Sequence, residues 1–121
     1  MPQARSVQIL DFTSGVNAIA GDVGGFLNVS TSPVTLAITD RYILVDATGG
    51  ARTLNLPAIA TSDLHVYVIK IVAGGNTVTI DPNASETVDG ATTLAFSGAL
   101  ATRTIACKAS GTNLGWWVVR S

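Results

Sequence analysis

Hydrophobic and polar residues alternate along several short runs of this chain, a pattern that predicts strands with one buried face. The inward positions of the clearest runs are Leu54, Leu56, Val78, Ile80, Ile105 and Cys107. Turn-forming Gly, Asn, Asp and Pro residues separate the runs at intervals of about 8–12 residues, which is typical of an all-β sandwich or barrel. We therefore predict an all-β fold, either a small antiparallel sandwich or a barrel.

Two neighbouring runs between residues 33 and 46 predict a hairpin. In the first run Val34, Leu36 and Ile38 share one face, and Tyr42–Asp46 follows after a two-residue break. The break is not a favoured hairpin dipeptide, so the turn geometry stays open. A helical turn is expected only at 58–64. No segment repeats with a fixed length, and a solenoid is therefore not predicted.

The run from His65 to Val72 is almost continuously apolar, as expected of a strand that is buried on both faces. Such burial requires a second layer, which is either another sheet or a neighbouring subunit. Trp116 and Trp117 are adjacent on a predicted strand and so point to opposite faces. We expect one indole in the core, and we predict a subunit interface that includes Val66, Val68 and Trp117. A carbohydrate-stacking surface is the alternative role for the outer indole.

The composition supports an oligomer and argues against nucleic-acid binding. Charged residues make up 12% of the chain and hydrophobic residues 47%, whereas typical domains carry about 25% charged residues. A chain with so few charged residues often covers part of its surface with another subunit. The alternative is a monomer whose surface is rich in Thr, Ser, Asn and Gly. The net charge is −1, and the seven Lys and Arg residues are scattered singly, so no basic face for phosphates is predicted.

Few residues are suited to catalysis or metal binding. The single cysteine excludes an intrachain disulfide, and we expect Cys107 to be a small buried side chain rather than a nucleophile paired with His65. Residues 81–92 fail the EF-hand pattern at its sixth and twelfth positions. Asp81, Glu86 and Asp89 fit turns better than a loose metal site or a hydrolytic pair. We predict no catalytic, cofactor or metal residues; an enzyme acting on polysaccharide would need clustered carboxylates.

The two ends of the chain carry different expectations. Residues 1–5 lack the apolar run of a signal peptide, and no apolar stretch reaches the roughly 20 residues of a membrane helix. We expect cytoplasmic synthesis and no membrane partner. A glycine pair at 49–50 is the candidate boundary between an N-terminal arm and hairpin region, 1–50, and a β module, 51–121. One compact domain is expected overall.

Four motifs of the second half occur in the order found in a known class of modules. In that class the motifs are a T-L-x-L-P strand, a G-N-T-V-T-I-D-P strand and loop, an E-T-I-D-G turn and a final G-T-N-W-x-V strand. The matching residues are Thr53–Pro57, Gly75–Pro82, Glu86–Gly90 and Gly111–Val119. The set resembles the β-rich C-terminal modules of bacteriophage tail-fibre, spike and head-decoration proteins. The resemblance implies a homotrimeric virion structural protein without enzymatic activity.

The short segment before the β module favours one function within that class. A chain with only about fifty residues before the module suits a capsid decoration or cement protein that stabilises the head through added buried area. The expected location is the capsid exterior, and the expected partners are other copies of the chain and the major capsid protein. Val7, Ile9 and Leu10 are the predicted capsid-attachment residues, through strand addition. The alternative is a tail-fibre or spike module that binds a host surface receptor or glycan.

Overall fold

The computed structural model describes residues 25–121, which form nine strands and one short 3-10 turn at Ile59–Thr61. The strands are β1 (Gly25–Val29), β2 (Val34–Thr35), β3 (Asp40–Asp46), β4 (Arg52–Asn55), β5 (Val66–Ala73), β6 (Val78–Asp81), β7 (Leu94–Phe96), β8 (Thr102–Lys108) and β9 (Gly115–Arg120). The predicted all-β fold is confirmed, as is the helical turn within 58–64.

Two mixed sheets enclose the core, and neither closes into a barrel. The five-stranded sheet has the order β1-β3-β5-β8-β9, and the four-stranded sheet has the order β2-β4-β6-β7. β1, β3 and β5 run parallel, as do β2, β4 and β6. Antiparallel pairing is restricted to β5–β8, β8–β9 and β6–β7. The prediction of a purely antiparallel sandwich is therefore wrong.

The parallel pairing arises because the chain changes sheet after each of its first five described strands. The chain thus winds through three stacked coils, and each strand returns beside its predecessor in the same direction. β2 and β3 consequently lie in different sheets, and the predicted hairpin does not form. A turn joins them instead, in which the Asp40 carboxylate accepts the Ala37 N–H at 2.9 Å. Ile38 lies in this turn and is 49% exposed, whereas Leu36 is buried, so the prediction that the two share one face with Val34 is wrong.

The core lies between the two sheets and contains the inward positions that alternation predicts. Leu54, Leu56, Val78, Ile80, Ile105 and Cys107 are all buried. The largest buried side chains are Trp116 and Tyr67, whose rings stack at 5.4 Å between centroids. Full burial of each such apolar side chain contributes about 1.5–3 kcal/mol. The two adjacent tryptophans diverge as predicted, since Trp116 is fully buried and Trp117 is only partly so.

The turn after β5 packs directly against the turn after β3. The Ala47 N–H donates to the Ala73 carbonyl at 2.9 Å, and the Asn76 side chain donates to the Ala47 carbonyl at 2.7 Å. Gly74 has a φ of +85°, and a Cβ at this position would overlap the backbone of Ala47 and Thr48. Glycine is therefore required here both by conformation and by space.

The outer edge of β9 is covered by the loop that follows β6. The Trp116 N–H donates to the Thr87 carbonyl at 2.9 Å, and the Asp89 N–H donates to the Trp116 carbonyl at 2.9 Å. The Asp89 carboxylate then accepts the Val118 N–H at 2.8 Å. Covering an edge in this way removes the unpaired backbone groups that would otherwise recruit another strand.

Candidate interaction surface

The outer side of the five-stranded sheet carries an apolar patch that includes two stacked aromatic rings. Side chains on alternate positions of its strands point away from the core, and cross-strand register aligns Phe26 with Tyr42 and Tyr42 with Val68. Phe26 is 68% exposed, and its ring stacks on Tyr42 with 4.9 Å between centroids. We define the apolar face as Phe26, Tyr42, Leu44, Val66, Val68 and Trp117.

The three residues predicted as a subunit interface lie together on this face. Val66 on β5 is in register with Ala106 on β8, and Ala106 is in register with Trp117 on β9. Val68 lies two positions further along β5, on the same side of the sheet. All three are only partly buried. Their shared location follows the predicted strand periodicity; their role as a subunit contact stays a prediction.

β5 divides its residues between the two sides of the sheet. Tyr67, Ile69 and Ile71 are fully buried against the core, whereas Val66 and Val68 on the other side are only partly buried. The second layer that its continuous apolar run predicts is therefore present on one side, where the four-stranded sheet supplies it. Among the described residues no layer covers the other side.

Trp117 lies beside a depression of about 410 Å³ that is lined by Lys108, Asn113 and the indole itself. The indole N–H donates to the Asn113 carbonyl at 2.9 Å, which holds the ring in one orientation. The Lys108 ammonium donates to the carbonyls of Ser110 and Thr112, so its position is held as well. The depression thus combines an oriented aromatic ring, a cation and an amide.

Two aromatic residues of the apolar face, Phe26 and Tyr42, were missed by sequence reasoning. Phe26 follows a glycine-rich segment, and Tyr42 opens a run whose partner strand was misassigned. Their juxtaposition depends on the parallel pairing of β1 with β3. An exposed Phe directly after a glycine pair was the available signal. Val7, Ile9 and Leu10, the predicted capsid-attachment residues, lie outside the described residues.

His65 and Cys107 do not form a nucleophile and base pair. Cys107 is buried, its thiol lies 3.8 Å from the Ile59 carbonyl, and burial raises the pKa of the thiol to about 11. A thiol with this pKa stays protonated at neutral pH, and the thiolate is the reactive form. The His65 ring packs edge-on against Tyr67, and its Nε2 lies 2.9 Å from the Asp40 carbonyl.

The three acids considered for a metal or hydrolytic site have separate surroundings and do not share a hydrogen-bond partner. The Glu86 carboxylate accepts the Ile59 N–H at 3.0 Å, and the Asp89 carboxylate accepts the Val118 N–H at 2.8 Å. Asp81 lies on the outer side of the four-stranded sheet, in register with Asn55. Within residues 25–121 no group of three or more His, Cys, Asp or Glu residues is arranged to hold a metal ion.

No protein-family model matches this chain, and no curated protein matches its sequence. The similarity of its motifs to bacteriophage modules therefore stays a prediction. No helix in the described part of the chain has the length and apolar character needed to cross a membrane.

Proposed function

We propose that this chain is a bacteriophage virion structural protein that binds the outside of the head as a homotrimer and stabilises it. The apolar face is the observation that carries the proposal. It presents two aromatic rings, an indole and three aliphatic side chains on one side of a sheet. Apolar surfaces of this kind on small soluble proteins mark interaction sites.

A second copy of the chain is the proposed occupant of the apolar face. Only 12% of the residues are charged, and covering the apolar face with another copy removes apolar surface that few charges would otherwise keep in solution. Aromatic residues are enriched at the centres of protein interfaces because each buries a large area. Stacked Phe26 and Tyr42 therefore add a large aromatic area to a contact between copies, at the β1 side of the apolar face.

The motif order in the second half of the chain supports the virion assignment. Head-decoration and fibre modules with these motifs work as structural or binding parts of the particle, and their trimers suit local threefold positions. A decoration protein needs no chemistry, because its buried contact area alone stabilises the assembled head. The Cys107 and His65 environments, which disfavour a nucleophile, agree with a structural role.

Sedimentation tests both parts of the proposal. Equilibrium runs over a concentration series should give a mass three times the 12.4 kDa of the monomer. Labelled protein should then co-sediment with tail-less heads to saturation, at hundreds of copies per head. A monomer at every concentration would contradict the trimer. Binding of only a few copies, restricted to tailed particles, would contradict the decoration role.

A host-glycan receptor site is the second candidate function, and the depression beside Trp117 favours it. Its oriented indole offers a flat apolar surface for a sugar ring, and Lys108 and Asn113 offer polar groups at its margin. Small-molecule sites combine apolar contact with a few placed polar groups in this way. Titration with purified host surface polysaccharide should quench Trp fluorescence, and Trp117→Ala should abolish the binding. A trimer that binds heads and shows no quenching would leave only the decoration role.

A further inference from the structure

A second depression, of about 320 Å³, lies at the carboxyl ends of the parallel strands of the four-stranded sheet. Thr35, Asn55 and Asp81 are the last residues of β2, β4 and β6, and they are register partners across the three strands. Neighbouring strands lie about 4.8 Å apart, so the three side chains form a row on the outer side of the sheet. Asn83 lines the same depression from the loop that follows β6.

Asp81 differs from every other carboxylate among residues 25–121. The other five each accept a backbone N–H: Asp40 from Ala37, Asp46 from Thr48, Asp63 from Ala109, Glu86 from Ile59 and Asp89 from Val118. These five therefore have a structural role in turns, loops and strand edges. The Asp81 carboxylate makes no such bond within the described residues, and it is partly buried.

The surroundings of Asp81 offer further oxygen ligands and no positive charge. The depression is lined by Thr35, Asn55, Leu56, Asp81, Pro82, Asn83 and Ala84, with no Lys or Arg. One carboxylate, two amide oxygens and one hydroxyl oxygen are hard donors. Hard cations such as Ca²⁺ take six to eight oxygen ligands and tolerate irregular geometry, whereas Mg²⁺ demands a near-ideal octahedron. The carboxylate disfavours an anion, and a row of oxygen donors along a sheet suits the adaptable shell of Ca²⁺ better than the octahedron of Mg²⁺.

The backbone that carries these donors is held on both sides. The Leu36 N–H donates to the Asn55 carbonyl and the Leu56 N–H to the Asp81 carbonyl, each at 2.9 Å. The Glu86 N–H donates to the Asn83 carbonyl at 2.9 Å, which closes the loop around Asn83. Main-chain bonds thus fix the backbone at Asn55, Asp81 and Asn83, and no hydrogen bond within the described residues occupies their side chains.

We propose that this depression is a Ca²⁺ site in which the Asp81 carboxylate and the amide oxygens of Asn55 and Asn83 bind the ion and water completes the shell. A single carboxylate gives a weak site, with half-saturation at about 10⁻⁴–10⁻³ M, the range of extracellular modules. The site lies on the side of the protein opposite the apolar face. Ca²⁺ binding there is therefore expected to be separate from the proposed self-association through the apolar face.

Calorimetric titration of the full chain with CaCl₂, and with MgCl₂ at equal ionic strength, tests the site. The wild-type protein should bind one Ca²⁺ with half-saturation in the range given above and bind Mg²⁺ at least tenfold more weakly. Asp81→Asn should lose Ca²⁺ binding, and Asn83→Ala should weaken it several-fold. Asp63→Asn removes a carboxylate elsewhere and should leave Ca²⁺ binding unchanged.

Two results would overturn the site. One is the absence of Ca²⁺ binding by the wild-type protein up to concentrations about tenfold above the expected range. The other is equal Ca²⁺ binding by wild type and Asp81→Asn. Because the Asp81 carboxylate makes no internal hydrogen bond among the described residues, this variant should fold normally. An unchanged circular dichroism spectrum in the absence of Ca²⁺ checks that expectation.

Discussion

The two sheets of this protein present similar inner sides and very different outer sides. Both inner sides are aliphatic and aromatic and meet in one core. On the outside, the four-stranded sheet carries polar and small residues, namely Thr35, Thr53, Asn55, Thr79, Asp81 and Ala95. The five-stranded sheet carries the apolar face on its outer side, where the register also places Lys70 beside Leu44 and Thr104 beside Val68.

The outer side of the four-stranded sheet shows that strands of this protein form with polar outward-facing residues of high β-propensity. Threonine has a high β-propensity because its branched side chain fits the pleated surface, and it keeps a hydroxyl in water. Thr53 and Thr79 satisfy that need in β4 and β6. Val66, Val68 and Trp117 exceed it, since their additional apolar surface contributes little to the core. Val and Trp share the high β-propensity of Thr, and the apolar surface that they add is what the proposed contact between copies would cover.

The largest effect is expected from a change in the stacked turns that follow β3 and β5. Gly74→Ala places a methyl group onto the backbone of Ala47 and Thr48 and imposes a φ of +85° on alanine. Strain of this kind combined with backbone overlap should lower the free energy of unfolding by at least about 3 kcal/mol. Chemical denaturation monitored by Trp fluorescence measures the change.

Gly75→Ala is the matched control in the same turn. A Cβ at Gly75 has no neighbouring atom within 4 Å, so this change should alter the free energy of unfolding by less than about 0.5 kcal/mol. Similar destabilisation by both substitutions would show that the stacked turns are not the tight contact described above.

The next largest effect separates the two outer sides directly. Val68 on β5 and Thr79 on β6 are both partly buried on the outer side of an interior strand. Val68→Lys should weaken self-association at least tenfold, or about 1.4 kcal/mol, because it places a charge in the apolar contact. Thr79→Lys should leave self-association unchanged. Sedimentation equilibrium of both variants provides the measurement, and equal weakening by the two would contradict the assignment of the apolar face.

Local features of this fold were predictable because strand alternation is a property of adjacent residues. The inward positions Leu54, Val78 and Ile105 and the divergence of Trp116 and Trp117 follow from period-2 geometry alone. The same geometry puts Val66 and Val68 on one side of their strand, and the predicted subunit interface grouped Trp117 with them. Half of the residues of the apolar face were therefore predicted from the sequence.

Strand pairing was not predictable, because it depends on where the chain returns after leaving a sheet. Val29 pairs with Val45, and Val45 pairs with Ile71, across coils of clearly unequal length. No fixed period marks these coils, so the sequence pattern favoured a hairpin that does not form. Phe26 and Tyr42 meet only through this pairing. The Ca²⁺ site depends on it as well, since Asn55 and Asp81 are neighbours only between parallel strands.

A smaller effect of opposite sign is expected at two exposed leucines that flank the central strand pair of the five-stranded sheet. Leu64 has a φ of 67° and is 82% exposed, and Leu100 has a φ of 68° and is 63% exposed. The left-handed conformation costs about 1–2 kcal/mol in a non-glycine residue, and glycine would lose about 0.5–1 kcal/mol through chain entropy. Leu64→Gly and Leu100→Gly should each therefore stabilise the monomer by roughly 0.5–1 kcal/mol.

These variants also test how far the proposed contact extends beyond the apolar face. If the leucines extend the apolar face, the more stable variants will associate more weakly in sedimentation runs. Unchanged association would restrict the contact to the six residues of the apolar face. Destabilisation by either glycine, measured by denaturation, would contradict the strain argument, because the exposed side chains have little packing to lose.

The last expected effect appears only at alkaline pH, and it distinguishes the inner sides of the two sheets. The five-stranded sheet contributes two buried weak acids, Cys107 and Tyr67, and burial raises the pKa of both, that of Cys107 from 9.0 to about 11. Above pH 9 the unfolded thiol loses its proton while the native thiol keeps it. Stability should therefore be intact below pH 9 and decrease as the pH rises to about 11. Cys107→Ala should make this decrease shallower, whereas Val78→Ala, in the four-stranded sheet, should lower stability equally at every pH. Denaturation midpoints between pH 8 and 11 test this, and parallel curves for the two variants would contradict the contribution of the thiol.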